Sequence, residues 1–307
     1  MGRLNANANA NAIASLHGTG VPAPLRFNSL EYTKALRPGQ FPSEPKTDKD
    51  KEAYEASQKA VNERKFRTYW DAELRASVYL NEFIIGHPYW LDEMTKAIDK
   101  KGLHEELHRN KGEQLRKMLE VADERDERFS EIIDQHDAEG AIKYWLGMLM
   151  IDPGSAPATY QLIRVARRVG EVVVMCLKQN YNEPRPSQIS PAIVPLIDPP
   201  VTPSFPAGHA LQSRLISKCL DAAHRLRDQR EMLFELAKRV ADNRIVAGLH
   251  YPLDNEAGDV AADICFEMLQ TGKKFQELLD SARSESYLEW NPDKRPKPPV
   301  PDRGWRP

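Results

Sequence analysis

Apolar residues recur every three to four positions along most of the chain, the period of helices that bury one face. The pattern is continuous from about position 50. A first stripe contains Trp70, Leu74, Val78, Leu80, Phe83 and Ile84. Gly86 and Pro88 follow it and predict the end of that helix.

The most apolar segments, 141–151 and 157–178, predict buried helices in the middle of the chain. The second carries a broad stripe of Leu162, Val165, Ala166, Val169, Val172 and Val173. Eight prolines between Pro184 and Pro206 predict a stiff loop that is neither helix nor strand, because proline fixes φ and lacks an N–H donor. Helical periodicity resumes over 208–226, 229–247 and 255–271.

The pattern predicts an all-α fold, since no segment alternates with the period of a strand. We predict an irregular N-terminal arm over 1–48, a single helical domain over 49–286 and a Pro-rich tail over 287–307. Charge is dense over 103–139, which predicts a helical insertion with solvated faces. The long arm and tail would suit a homo-oligomer.

Composition narrows the function classes. The 43 Lys and Arg balance the 45 Asp and Glu, which disfavours nucleic acid or an anionic membrane as a partner. The mean hydropathy is -0.60, and no apolar run approaches 18 residues, so we predict no transmembrane segment. We predict a cytoplasmic protein, since the start lacks a secretory pattern and the three cysteines show no disulfide spacing.

Three segments carry candidate chemistry. Their residues are Lys178 and Arg185, Gly208 and His209 after Pro206, and Arg244, His250 and Asp254. If they converge, the three cations suit a tetrahedral oxyanion. Gly208 precedes a predicted helix, whose first N–H groups favour an anion.

The two histidines could carry out a reaction on an oxyanion bound at this site. His250 could attack phosphorus, and Asp254 could hold the other ring nitrogen in the required tautomer. His209 could protonate the leaving oxygen as a general acid. These roles predict catalytic residues His250, His209 and Asp254 beside an anion held by the cations and the Gly208 amide.

The three segments together resemble the type 2 phosphatidic acid phosphatase and vanadium haloperoxidase superfamily. Its pattern is Lys-x6-Arg-Pro, then Pro-Ser-Gly-His, then Ser-Arg-x5-His-x3-Asp, and the resemblance covers about 178–258. The matching residues are Lys178, Arg185, Pro186, Pro206, Gly208, His209, Arg244, His250 and Asp254. The resemblance implies a helical bundle and metal-independent phosphoester hydrolysis through a phosphohistidine on His250, or vanadate held on that residue.

Two positions depart from the family pattern, because Ala207 and Asn243 stand where serines are expected. A hydrogen bond to a charged group is worth about 1.5–3 kcal/mol, so the missing hydroxyl at Ala207 should weaken anion binding roughly tenfold to a hundredfold. Ser204 or Ser213 could replace that hydroxyl. Asn243 keeps hydrogen-bonding capacity and is the milder change.

A separate motif, His104-Glu-Glu-Leu-His108, has the spacing of a helical zinc site. Its neighbours are hydrophilic, which favours a solvated charged helix, so we predict no metal site. Tyr181 and Glu183 are expected to be surface loop residues.

The leading hypothesis is a phosphomonoester hydrolase without a cofactor, acting on a soluble or accessible small-molecule phosphoester. Only 23 residues separate Arg185 from His209 and 34 separate His209 from Arg244, and such short intervals resemble the phosphatase branch. The alternative is a vanadate-dependent haloperoxidase that uses hydrogen peroxide and halide, with vanadate on His250. A third hypothesis, motivated by Ala207 and Asn243, is a non-catalytic oxyanion-binding protein.

Overall fold

The computed structural model describes residues 71–224 and 227–285, together with Asp48. Regular structure in these ranges is entirely helical and includes no strand, which confirms the predicted all-α class. Apart from Asp48, the predicted N-terminal arm lies outside the described residues, as do Trp70 and the Pro-rich tail.

The helices are numbered here in chain order. They are α1 Ala72–Gly86, α2 Trp90–Lys100, α3 Leu103–Arg109, α4 Lys111–Glu120, α5 Arg125–Asp134, α6 Ala138–Leu149, α7 Pro157–Tyr181, α8 Pro186–Ile189, α9 Gly208–His224, α10 Arg227–Val246, α11 Pro252–Leu269 and α12 Lys273–Arg283. A single 3₁₀ turn, Ala122–Glu124, precedes α5. Among these helices, none is both long and apolar enough to cross a bilayer.

Helix α9 lies at the centre of the fold and packs against α7, α10 and α11. The predicted stripe of α7 is its buried face, with Val172 half-buried at its edge. Burying each large aliphatic side chain contributes about 1.5–3 kcal/mol, so this face alone holds much of the core together. A polar bridge crosses the core, where the indole N–H of Trp145 donates to Ser217 Oγ at 3.1 Å and Ser217 donates to the Leu233 carbonyl.

Two glycines let α9 approach its neighbours closely. A Cβ at Gly258 of α11 would lie 2.7 Å from the Ala207 carbonyl oxygen and 3.1 Å from the Leu211 nitrogen. A Cβ at Gly170 of α7 would lie 2.9 Å from a methyl group of Leu211. Both distances are below van der Waals contact, so glycine at these positions determines how near the start of α9 lies to α7 and α11.

The predicted face of α1 was partly wrong. Leu74 is 65 % exposed, and Val78 and Ile84 are also exposed, whereas Ala76 and Phe83 are buried. The helix turns its Ala76 and Phe83 side toward α7, and a small alanine on that side allows the close packing. The predicted helix end was correct, since α1 ends at Gly86.

Three other elements differ from the prediction. The proline-rich segment contains the short helix α8, which begins at Pro186, where proline is tolerated because the first helical N–H has no partner. Helix α11 begins at Pro252, three residues earlier than predicted, which places Asp254 in its first turn. Helix α12 was not predicted, although it buries Phe275 and Leu279.

Candidate active site

Lys178 lies in the last turn of α7 with its side chain buried. Its ammonium group donates hydrogen bonds to the carbonyls of Pro203 and Ser204, the second at 2.7 Å. Burial and the positive charge of Arg185 lower the pKa of Lys178 to about 7. The side chain therefore joins the end of α7 to the loop that leads into α9.

Arg185 is buried at the start of α8, where it links the proline-rich loop to the turn before α11. Its Nε donates to the carbonyl of Thr202 at 2.9 Å, and Nη1 donates to the carbonyl of Leu249, also at 2.9 Å. The same Nη1 lies 3.5 Å from Nε2 of His250. The guanidinium group is thus fixed beside one ring nitrogen of that histidine.

The other ring nitrogen of His250 faces a buried carboxylate. Nδ1 lies 2.9 Å from Oδ2 of Asp254. That oxygen also accepts hydrogen bonds from Ser204 Oγ at 2.5 Å and from the Tyr251 backbone N–H at 3.1 Å. The proton of a neutral His250 is therefore held on Nδ1, which leaves the Nε2 lone pair directed to the Arg185 side.

The electrostatics favour a neutral His250. Burial lowers its pKa well below the usual histidine range, and the charges of Lys178, Arg185 and Arg244 lower it further. Burial raises the pKa of Asp254 to about 6, against the opposing effect of its hydrogen bond from Ser204. A neutral imidazole is the form that can act as a nucleophile, and burial and the cations favour that form in the ligand-free site.

Arg244, in the last turn of α10, is the least satisfied of the cations. Its side chain is buried, with the residue 1 % exposed, and Nη2 donates to the Ile132 carbonyl at 3.0 Å. Nε and Nη1 find no partner among the described residues. Burial lowers the pKa of Arg244 to about 10, so the group stays charged at neutral pH. Two buried charged N–H groups are therefore free to bind an anion.

A tight turn brings His250 back under the end of α10. Gly248 has a positive φ of 81°, which side chains rarely adopt, and the Leu249 N–H then donates to the Arg244 carbonyl at 3.0 Å. A Cβ at Gly248 would also lie 3.3 Å from Cα of Pro195. Glycine here allows Arg244 and His250, six residues apart, to share one site.

The start of α9 supplies backbone donors. The Ala207 N–H donates to the Asp254 carbonyl at 2.9 Å, which ties this start to α11. The first helical bond of α9 runs from the Leu211 N–H to the Ala207 carbonyl, so the N–H groups of Gly208 and His209 have no acceptor within the helix. Such groups favour an anion. Gly208 and His209 are half-buried, so the site reaches solvent here.

His209 is oriented by a residue from another part of the chain. Its Nε2 lies 2.9 Å from the Gln135 carbonyl, which makes Nε2 the donor and leaves Nδ1 as the free ring nitrogen. Burial and the charge of Arg244 lower the pKa of His209 to about 3. The ring is therefore neutral in the ligand-free protein, and a bound anion would offset this shift.

Sequence reasoning did not identify the residues that support His209. Asn243 is buried, and its Nδ2 donates to Gln135 Oε1 at 2.8 Å and to Glu131 Oε2 at 2.9 Å. Its Oδ1 accepts from Arg128 Nη1 at 3.2 Å. The segment 103–139 thus supplies contacts to the motifs, and a serine at position 243 would be too short to make all of these contacts.

Two expectations about neighbouring residues are corrected here. Ser204 does not replace the hydroxyl missing at Ala207, because its Oγ is committed to Asp254 on the Nδ1 side of His250. Glu183 is buried and Tyr181 half-buried, so neither is a solvated loop residue. Glu183 and Arg185 line a cavity of about 630 Å³, and the Tyr181 hydroxyl donates to Asp99 Oδ1 at 2.9 Å.

The seven residues predicted to form the site are therefore close together in the structure. Comparison with known proteins adds no assignment: no family model matches the chain, and no curated protein matches it significantly.

Proposed function

We propose that this protein is a phosphomonoester hydrolase that works through a phosphohistidine on His250, within a bundle of the type its motifs resemble. One observation carries the proposal. The Nε2 atom of His250 lies beside Arg185 while Asp254 holds Nδ1, and Arg244 offers two buried N–H groups without a partner. A tetrahedral dianion satisfies those donors and brings phosphorus to a neutral imidazole.

The first step transfers the phosphoryl group to the enzyme. Lys178, Arg185, Arg244 and the Gly208 amide hold the phosphate oxygens, and the Nε2 lone pair of His250 attacks phosphorus. A P–N bond forms as the ester P–O bond breaks, and the leaving oxygen takes a proton from Nδ1 of His209, which gains that proton from solvent when the anionic substrate binds beside it. The Nδ1 proton of His250 stays on the ring, hydrogen-bonded to Asp254, and the Asp254 carboxylate stabilises the positive charge that develops on the ring.

The second step returns the enzyme to its starting state. Nδ1 of His209, now without its proton, accepts a proton from water as the water oxygen attacks phosphorus. The P–N bond breaks, inorganic phosphate leaves, His250 is again neutral, and His209 returns its Nδ1 proton to solvent as the anion departs. His209 is suited to this exchange because the Gln135 carbonyl fixes Nε2 and leaves Nδ1 to gain and lose the proton.

The proposed substrate is a soluble or accessible small-molecule phosphoester, since no described helix is suited to hold the protein in a bilayer beside lipid phosphates. A cytoplasmic setting belongs to the same proposal. It is supported by three cysteines that are free in the structure, as expected of thiols in a reducing compartment.

Vanadate haloperoxidation is the second candidate, favoured by the same unpartnered N–H groups of Arg244. Vanadate is also a tetrahedral oxyanion, and Lys178, Arg185, Arg244 and His250 would hold it. When bound, it would supply activation of hydrogen peroxide toward halide. The two candidates share one anion site and differ in the reaction that follows.

The test is phosphate release from p-nitrophenyl phosphate and a panel of phosphoesters, in excess EDTA, with and without orthovanadate. We expect activity in the wild type that vanadate inhibits and that His250→Ala abolishes. The matched control is His136→Ala, which removes an exposed imidazole and should keep full activity. A phosphoenzyme stable in alkali and labile in acid should form only when His250 is present.

Other outcomes would overturn the proposal. Wild-type protein that releases no phosphate but brominates monochlorodimedone with vanadate, peroxide and bromide is a haloperoxidase. Protein that binds vanadate with neither activity is an oxyanion-binding relative. Phosphatase activity that survives His250→Ala contradicts the phosphohistidine.

A further inference from the structure

We propose that His104, His108 and Glu183 form a binding site for a zinc-class divalent ion, separate from the oxyanion site. Three ligand atoms converge there. Nε2 of His104 lies 3.3 Å from Oε2 of Glu183, and Nε2 of His108 lies 3.1 Å from the same oxygen. The two Nε2 atoms are 3.2 Å apart. The three atoms therefore form a nearly equilateral triangle.

The size of this triangle matches one face of a zinc coordination tetrahedron. Zinc binds imidazole nitrogen and carboxylate oxygen at about 2.0–2.1 Å, which separates neighbouring ligand atoms by about 3.3–3.4 Å. The observed separations are within 0.3 Å of that range. Two histidines and one carboxylate also form a common zinc ligand set, with the fourth position left open.

Hydrogen bonding alone explains this arrangement less well. If both histidines donated to Oε2 of Glu183, two N–H groups would be directed at one oxygen with their nitrogens 3.2 Å apart. If one histidine donated to the other through Nε2, the accepting histidine would have no Nε2 proton to donate to the carboxylate, and the donor's only Nε2 proton would already be used. A cation between the three atoms satisfies all three lone pairs at once.

The carboxylate is held in a form suited to binding through one oxygen. The Glu183 side chain is 1 % exposed, and its other oxygen, Oε1, accepts a hydrogen bond from Lys111 Nζ at 2.5 Å. This contact keeps Oε2 turned toward the histidines, in the manner of outer-shell groups that orient metal ligands. The positive charge of Lys111 also balances the negative charge of Glu183 before an ion binds.

Helix α3 presents the two histidines on one face because they are four residues apart. Leu103 and Leu107 are buried and anchor the helix. The shielding that the sequence around His104 lacks comes from elsewhere in the chain, where the Tyr181 ring lies 4.7 Å and the Phe205 ring 5.0 Å from the His104 ring. A partly shielded ligand set is therefore assembled from distant segments.

An ion here would brace the oxyanion site without taking part in its chemistry. Glu183 lies two residues before Arg185, and its backbone carbonyl accepts the Ser204 N–H at 2.7 Å. An ion bound to Glu183 would thus tie α3 to both loops that carry those residues. Glu105, the base expected of a zinc peptidase motif, is instead 75 % exposed and paired with Arg109, so we assign the site a positioning role.

The test is zinc binding by the full-length protein after EDTA treatment and dialysis, measured by calorimetric titration and by the visible spectrum of the Co²⁺-substituted protein. We expect one strong site per chain with tetrahedral Co²⁺ absorption, and a melting temperature that rises with added zinc. His108→Ala should weaken binding by more than the roughly 10–100-fold typical of outer-shell changes. His108 is 54 % exposed, so this variant should fold.

Matched variants separate the site from general metal affinity. His136→Ala removes another exposed histidine and Glu105→Gln alters the motif outside the ligand set, and both should bind zinc as the wild type does. Glu183→Gln should lose the Co²⁺ spectrum. Wild-type protein with no strong site, or zinc binding unchanged in His108→Ala, would overturn the proposal. Because the readout is metal binding, the result is independent of phosphatase activity.

Discussion

Oδ2 of Asp254 lies 2.9 Å from Nδ1 of His250, and this contact determines which imidazole nitrogen faces the cations. Asp254→Asn keeps the size of the side chain, but its amide can stabilise the wrong tautomer and removes the charge beside the ring. We expect kcat to fall by about 10³–10⁴-fold, the scale of tautomer errors in histidine triads. The measurement is steady-state phosphate release. Asp259→Asn, on the same helix, is the control and should remain active, whereas an Asp254→Asn variant close to wild-type kcat would contradict this role.

Arg244→Lys tests the two buried N–H groups that lack a partner. Lysine keeps the positive charge but cannot place two donors in a fixed fork. Loss of one charged hydrogen bond costs about 1.5–3 kcal/mol, so the inhibition constant for vanadate should rise roughly tenfold to a hundredfold. Arg230→Lys changes an exposed arginine of the same helix that pairs with Asp221, and it should leave that constant unchanged. Equal inhibition of both variants would argue against an anion at Arg244.

Ala207→Ser introduces a hydroxyl at the position where the pattern that the sequence resembles carries a serine. Ala207 is fully buried beside Ala210. Without ligand, a buried hydroxyl that lacks a partner should destabilise the fold by about 1–3 kcal/mol. With vanadate, the same hydroxyl becomes a donor, and affinity should rise about tenfold. Thermal melting with and without vanadate measures both effects, and Ala210→Ser is the control. Weaker vanadate binding by Ala207→Ser would contradict the expected position of the anion.

The parts of the site that sequence could predict are those built from short spacings. His250 and Asp254 are four residues apart at a helix start, and Lys178 and Arg185 flank a helix end, so local geometry brings each pair together. The period of apolar residues likewise gave α7 and the helices near 208–271. These features depend on neighbours along the chain, which a single sequence displays.

The parts that could not be predicted depend on packing between distant segments. Gln135 reaches His209 across 74 positions, and Glu183 meets His104 across 79. Both contacts come from the segment 103–139, whose charge predicted only solvated faces. The buried side of α1 was missed for a related reason, because the small Ala76 contacts the core while the larger Leu74 does not.

Anion binding should weaken as the pH rises through about 7. Burial and Arg185 lower the pKa of Lys178 to about 7, so its ammonium is charged below that pH and neutral above it. The pKa values of His209 and His250 are lowered below this window, so the free protein does not titrate them there. Sulfate is a useful probe because its own charge, that of a dianion, does not change over this pH range.

Sulfate affinity should therefore fall by up to about tenfold per pH unit above the pKa of Lys178. Burial raises the pKa of Asp254 to about 6, so protonation of this carboxyl should favour sulfate further at lower pH. Competition against p-nitrophenyl phosphate hydrolysis, or direct calorimetry, measures the sulfate affinity. Lys178→Met should bind sulfate weakly and lose the fall in affinity above the pKa of Lys178. Lys218→Met, which removes a lysine paired with Asp263, should behave as the wild type. A fall in affinity over the same pH range that persists in Lys178→Met would assign the titration to another group.

Gly258→Ala tests whether the close approach of α9 to α11 determines the position of the start of α9. The added Cβ would lie 2.7 Å from the Ala207 carbonyl oxygen, a backbone atom that cannot rotate away. Overpacking of this kind destabilises by about 1–3 kcal/mol, although alanine otherwise favours a helix. Gly147→Ala is the matched control, because a Cβ at Gly147 meets nothing within 4 Å and should stabilise α6 by roughly 0.5–1 kcal/mol.

Urea unfolding measures the free energy of unfolding of both variants, which should fall in Gly258→Ala and rise in Gly147→Ala. Gly258→Ala should also weaken vanadate binding, since any shift between the helices disturbs the hydrogen bond from the Ala207 N–H to the Asp254 carbonyl. That bond connects the backbone donors of α9 to the residue that orients His250. A Gly258→Ala protein as stable as Gly147→Ala, with unchanged vanadate affinity, would show that the site tolerates movement between the two helices.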